Sequence, residues 1–243
     1  MRPKLSAKSC TALLALILLV GLLAGCGGGS SSSSSSSSDN GISGKSTAEI
    51  LAATKAAADA ASSVHVSGSI VSGGSPITLD MNLLAGKGGR GQLSEGGLSF
   101  ELIQVNKTVY IKGSAAFYKH IGGSAAAQLL QGKWLKAPST SSDFASLGQL
   151  TDLHQLVDQT LANHGTVTKL GTSTVNGEKV VGLTDKTKGG TLYIAATGQA
   201  YPIQIAKSGS GGGKINFSAW NKPVTLAAPA NAIDVAQLQA AAH

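Results

Sequence analysis

Aromatic side chains make up only 4% of this 243-residue chain and charged ones 13%, with two cysteines, two methionines and six prolines. With so few aromatics, any core must be built from Leu, Ile and Val, since alanine and glycine supply much of the remaining apolar fraction. Low charge combined with 42% hydrophobic residues excludes a disordered protein, and 32 glycines argue against a helical bundle. An α+β or all-β domain rich in turns remains. Chemistry is sparse as well. There is no Gly-x-Ser-x-Gly elbow and no His-Glu-x-x-His pair, and the five histidines are scattered. Gly44-Lys45-Ser46 resembles the end of a phosphate loop but has Asp39 where that loop needs a glycine. His154 and Asp158, four residues apart, read as an exposed helix pair. The pattern calls for no catalytic residue, no metal ligand and no cofactor, and the chain is expected not to be an enzyme.

What is present concentrates at the start. Arg2, Lys4 and Lys8 precede the apolar run Thr11–Leu23 with no acid among the first ten residues. A run of 13 residues falls short of the roughly 20 needed to cross a bilayer, so residues 1–25 read as a cleaved signal peptide. Those three basic residues also account for three of the seven excess positive charges. The modest excess left on an exported domain gives no reason to expect a nucleic-acid partner. Leu23-Ala24-Gly25-Cys26 matches the bacterial lipobox, which makes Cys26 the expected lipid attachment site and the cell membrane the expected anchor. Cys10 would leave with the signal peptide, so the mature chain has no thiol for a disulfide, a metal or a nucleophile.

Residues 26–45, the cysteine followed by Gly, Ser, Asp and Asn with one isoleucine and a closing lysine, read as a lipidated cysteine and flexible tether. One domain is expected from 46 to 243. Ser46-Thr47-Ala48-Glu49 is a capping-box pattern opening a helix to about Ala61. From Val64 the apolar period is two. Val64, Val66 and Ile70, then Ile77, Leu79, Met81 and Leu83, alternate with polar residues on either side of a Gly-Gly-Ser-Pro turn. Strands follow at Gly91–Ser94, Leu98–Val105 and Thr108–Lys112. Ser139–Ser142 can cap a turn at Asp143, and Leu153, Leu156, Val157 and Leu161 repeat at helical spacing. Strands resume at Thr166–Val175, Lys179–Thr184, Thr191–Ala196, Pro202–Lys207 and Lys214–Trp220, with Asn176-Gly177 as a two-residue hairpin turn.

Several strands are apolar on both sides, for instance Phe100 and Leu102 against Ile103 and Val105. A sheet covered on both faces explains that; so does a face lining a cavity for an apolar ligand. Alternation nominates Leu79, Met81, Leu83, Phe100, Leu102, Ile203 and Ile205 for such a wall.

The lipobox, the early helix, the meander and the segments "VYIKGSAAFYKHIGG", "GKWLKAP", "VNGEKVVGL", "TLYIAATGQAYPIQI" and "FSAWNKPVTLAAP" resemble the actinobacterial lipoproteins of the LppX/LprG group over roughly residues 46–235. The resemblance implies a lipoprotein-carrier-like fold: a strongly curved antiparallel half-barrel packed on several helices, whose concave face encloses a cavity for a lipid or glycolipid. The function it implies is an envelope lipoprotein on the extracytoplasmic face that binds or shuttles a lipid. The alternative is a non-enzymatic envelope interaction module whose cavity is filled by its own side chains.

Overall fold

A computed structural model describes residues 39–141 and 144–241. The signal peptide, Cys26, most of the tether and the Ser142–Asp143 cap lie outside the described residues. The elements are five helices, α1 (Thr47–Asp59), α2 (Ala115–Leu130), α3 (Ala145–Leu150), α4 (Leu153–Ala162) and α5 (Val235–Ala241), and twelve strands. The strands are β1 (Ser63–Ser72), β2 (Ser75–Leu84), β3 (Gly88–Glu95), β4 (Leu98–Val105), β5 (Thr108–Gly113), β6 (Leu135–Pro138), β7 (Val167–Val175), β8 (Glu178–Asp185), β9 (Thr191–Ala195), β10 (Pro202–Lys207), β11 (Gly213–Ser218) and β12 (Ile233–Asp234).

All twelve form one open sheet in the order β12-β6-β5-β4-β3-β2-β1-β11-β10-β9-β8-β7. Two antiparallel meanders, β1 to β6 and β7 to β11, are spliced where β1 pairs with β11, His65 opposite Ser218. The sheet is not wholly antiparallel, as the half-barrel expectation had it. After β11 the chain leaves the middle of the sheet and returns at its far edge, where β12 runs parallel to β6. A long excursion permits this, whereas a tight hairpin cannot join parallel strands.

The helices cover one face. Leu153, Val157 and Leu161 of α4 pack with Val64, Val66, Met81, Leu83 and Leu102 of the sheet, while Ile50 of α1 packs with Val181, Leu183 and Ile194. The expected capping box is present: Ser46 Oγ accepts from Glu49 N, and the Glu49 carboxylate accepts from Ser46 N at 2.8 Å. The tight turns at Asn106-Lys107 and Asn176-Gly177 have positive φ at both positions, the conformation that suits the twist of a two-residue hairpin.

The opposite face is mostly open and polar, except at one end. Asn176 at the β7–β8 turn donates to Asn216 Oδ1 on β11 at 2.9 Å, although three strands lie between them. In a flat sheet those strands would stand roughly 19 Å apart. The hairpin tip therefore folds back over this face and buries Val180, Ala195 and Ile203 beneath it. This accounts for the two-sided burial of β8.

Order begins before Ser46. Asn40 N donates to Ala196 O at 3.0 Å, Asn40 Nδ2 to Ala195 O at 2.9 Å, and Ile42 is 2% exposed beside Ile50 and Ile194. Lys179 pairs with Asp39 at 2.9 Å. Residues 39–45, expected in the tether, are thus part of the domain, held by the one isoleucine of that stretch.

Candidate functional site

Antiparallel pairing lines up side chains in rows across the sheet. One row on the helix face runs Leu183, Leu192, Ile205, Ile215, Gly68, Leu79, Leu93 and Phe100, crossing eight strands from β8 to β4. The next runs Phe217, Val66, Met81, Gly91, Leu102 and Ile111. Glycine at 68 leaves no side chain between Ile215 and Leu79, and an added Cβ there would stand 2.0 Å from Lys214 O. Close strand approach thus keeps that position bare.

Helices α3 and α4 bridge over the middle of these rows without filling the space. A cavity of about 210 Å³ remains, floored by Val66, Leu79, Met81, Leu83, Leu93, Ile205, Ile215 and Phe217 and roofed by Leu150, Leu156 and Thr160. Among the described residues Thr160 supplies the only polar side chain in this lining. Ile70 and Leu150, 37% and 39% exposed, form apolar lips at its edge. A second cavity of about 150 Å³ adjoins it beyond Thr160 and Ile205, which line both. Its inner wall is Leu51, Leu161, Leu183 and Leu192, but its outer end carries Asn163, His164, Asp185, Gly189, Gly190 and Lys207. A larger polar groove lies among the hairpin turns, along Gly86–Gly88, Asn106-Lys107 and Val224–Leu226.

Of the seven nominated wall residues, Leu79, Met81, Leu83 and Ile205 come together around the apolar cavity. Leu102 and Phe100 do not. Leu102 is wholly buried in the core, and Phe100 packs against Phe117 of α2 with ring centroids 5.2 Å apart. Ile203 is on the other face altogether. The β9–β10 register shifts between Pro202 and Gln204, so Ile203 and Ile205 do not share a side as strict alternation requires. Sequence reasoning missed the roof: the α4 stripe Leu153, Leu156, Val157 and Leu161 was visible, but Thr160 beside it gave no sign of facing a void.

Polar chemistry is limited. His65 lies 3.0 Å from Asp80 Oδ1 and 3.2 Å from Ser218 Oγ on the open face. These are cross-strand neighbours on an exposed surface, and neither His65 nor Ser218 lines any cavity described above. The expected His154–Asp158 pair is replaced by Asp158 bonding Lys55 of α1. No cluster of three metal-ligating side chains occurs among the described residues, and no described helix is long and apolar enough to cross a membrane.

An open mixed sheet with helices on one face and an apolar chamber between them defines an α+β fold. Such a fold is shared with LprF from Mycobacterium bovis, a chain 18% identical whose superposition covers 75% of this chain and 96% of that one at a TM-score of 0.51. The LppX/LprG resemblance read from the sequence is thereby met at the level of fold. Weaker likenesses include an uncharacterized conserved protein from Thermus thermophilus, 10% identical, covering 79% and 99% of the two chains at a TM-score of 0.40. Another is MucB, 16% identical, covering 75% and 62% at 0.40. No protein-family model and no curated protein matches the chain.

Proposed function

We propose that this chain is a membrane-anchored envelope lipoprotein that binds or shuttles a lipid on the extracytoplasmic face, held there by a diacylglyceryl group on Cys26 and performing no covalent chemistry. The observation that carries this reading is the cavity of about 210 Å³ with a single polar lining side chain. Apolar walls with no side chain packed against them forgo the dispersion contacts that a filled core makes. A hydrocarbon guest restores the missing contacts, and the exposed lips Ile70 and Leu150 give it an apolar way in. Moving a lipid needs only such a shelter and an opening, which suits a chain without catalytic motifs.

Native mass spectrometry of the domain from Asp39 onward, exported behind a cleavable signal peptide into the envelope of a bacterium, tests this. Co-purifying lipid that leaves the domain on collisional activation is the expected result. A ligand-free domain that also fails to take up acyl chains from vesicles would favour the interaction module instead.

A further inference from the structure

The second cavity differs in character from the first, and the two share a wall. Its inner end is aliphatic, whereas its exposed outer end carries the ammonium group of Lys207. Lys207 lies across Gly189 and Gly190, whose added Cβ atoms would stand 3.7 Å and 3.4 Å from its side chain. Lys188 bonds the side chain of Asn163 at the same rim. Among the described residues neither lysine is in an ion pair. The one carboxylate there, Asp185, is already engaged, accepting from Gly165 N at 2.7 Å and from Thr187 N and Lys188 N at 2.8 Å. His164 completes the rim, with Nδ1 turned to Gly165 O at 2.8 Å. The floor is continuous. The row Leu183, Leu192, Ile205, Ile215, Gly68, Leu79 and Leu93 runs from this chamber under the partition into the apolar one, spanning roughly 29 Å at ordinary strand spacing.

We propose that the two chambers hold one molecule, a single-chain amphiphile with an acidic head, the head at Lys207 and the tail passing between Thr160 and Ile205 into the apolar cavity. This deepens the carrier reading and rests on it. Neither chamber alone reaches the roughly 300–1,000 Å³ of an ordinary small-molecule site, and joined they come to its lower end. That space suits one chain rather than two or three. Ile205 is only partly buried, so its side chain can turn aside to open the partition. A carboxylate and a phosphate monoester answer the rim's chemistry equally.

The test uses the full chain in phosphatidylcholine vesicles and probes of one chain length with a diazirine at the tail end. The probes are a fatty acid, a lysophosphatidate, a neutral monoacylglycerol and a two-chain phosphatidate. Either or both acidic single-chain probes should label the Leu79–Leu83 strand, and their ratio identifies the head. The neutral and two-chain probes should label it roughly tenfold less, and Lys207→Glu should bring the acidic probes down to that level. Lys207 is exposed, so this variant keeps its fold. Ile205→Trp should stop labelling at Leu79–Leu83 while labelling near Leu192 persists. Equal labelling by neutral and acidic probes, or no effect of Lys207→Glu, overturns the head assignment and leaves the carrier reading standing. Labelling at Leu79–Leu83 undiminished in Ile205→Trp overturns the single-molecule arrangement. Failure of every probe to label either chamber overturns the carrier reading itself.

Discussion

Leu102 and Leu79 are leucines in adjacent rows of the same sheet face, yet they stand in different surroundings. Leu102 is wholly enclosed by core side chains, while Leu79 borders the cavity. Replacing Leu102 by Ala should therefore cost about 2–5 kcal/mol, and forcing Trp into its place about 1–3 kcal/mol by overpacking. Leu79→Phe extends into free volume, so it should cost less than about 1.5 kcal/mol while lowering lipid occupancy. Urea denaturation paired with native mass spectrometry separates the two behaviours. Tyr118 offers a pH-dependent counterpart. Its hydroxyl accepts from Gly113 N at 2.9 Å and donates to Lys133 O at 3.1 Å, and burial pushes its pKa above the usual phenol value. Because the folded pKa exceeds the unfolded one, near 10, this contribution is complete below about pH 10 and is lost as pH rises through the folded value. Ultraviolet absorbance of the phenolate against pH should show one tyrosine ionising late, together with loss of structure. Tyr118→Phe should remove that alkaline step and cost about 1–3 kcal/mol at neutral pH, since Gly113 N–H loses its partner.

Among the elements, the ones announced by period or turn chemistry were legible. The strands from β1 to β5 and β7 to β11 fall within one to three residues of their expected bounds, because alternation and the turns at Asn106-Lys107 and Asn176-Gly177 are local signals. Helix α2 was not legible: it is rich in alanine, and it is interrupted at Gly123, where φ is 74°, so no single apolar stripe runs along it. The two-residue β12 and the bulge at Ile203 depend on partners distant in sequence, which no window of the chain contains. For the same reason four of the seven nominated wall residues line the cavity and three do not. Alternation tells which side of a strand a residue takes, and neither the bulge nor the reach of a roof helix enters that pattern. Helix α1 tests the local side of this argument. Ser46→Ala removes the acceptor for Glu49 N and should cost about 0.5–2 kcal/mol by chemical denaturation.

For the whole molecule, the proposed lipid anchor concerns location and the sheet governs assembly. Under that proposal Cys26→Ser removes the acceptor of the diacyl anchor, in which each buried CH₂ contributes about 0.8 kcal/mol. The variant should accumulate as uncleaved precursor or as soluble protein on cell fractionation; fully processed protein remaining with the membrane would refute the lipoprotein assignment. The splice between β1 and β11 bears on how the chain reaches this state at all. Synthesis proceeds from the N-terminus, so the first meander emerges while the partner of its β1 edge, some 150 residues further on, does not yet exist. At ordinary elongation rates that edge waits on the order of ten seconds. Throughout that interval Val64 and Val66 sit on a strand paired with β2 on one side only, its other edge an open template for a neighbouring nascent chain. Whatever escorts this protein during synthesis has that long β1 edge to guard until residues 213–218 arrive.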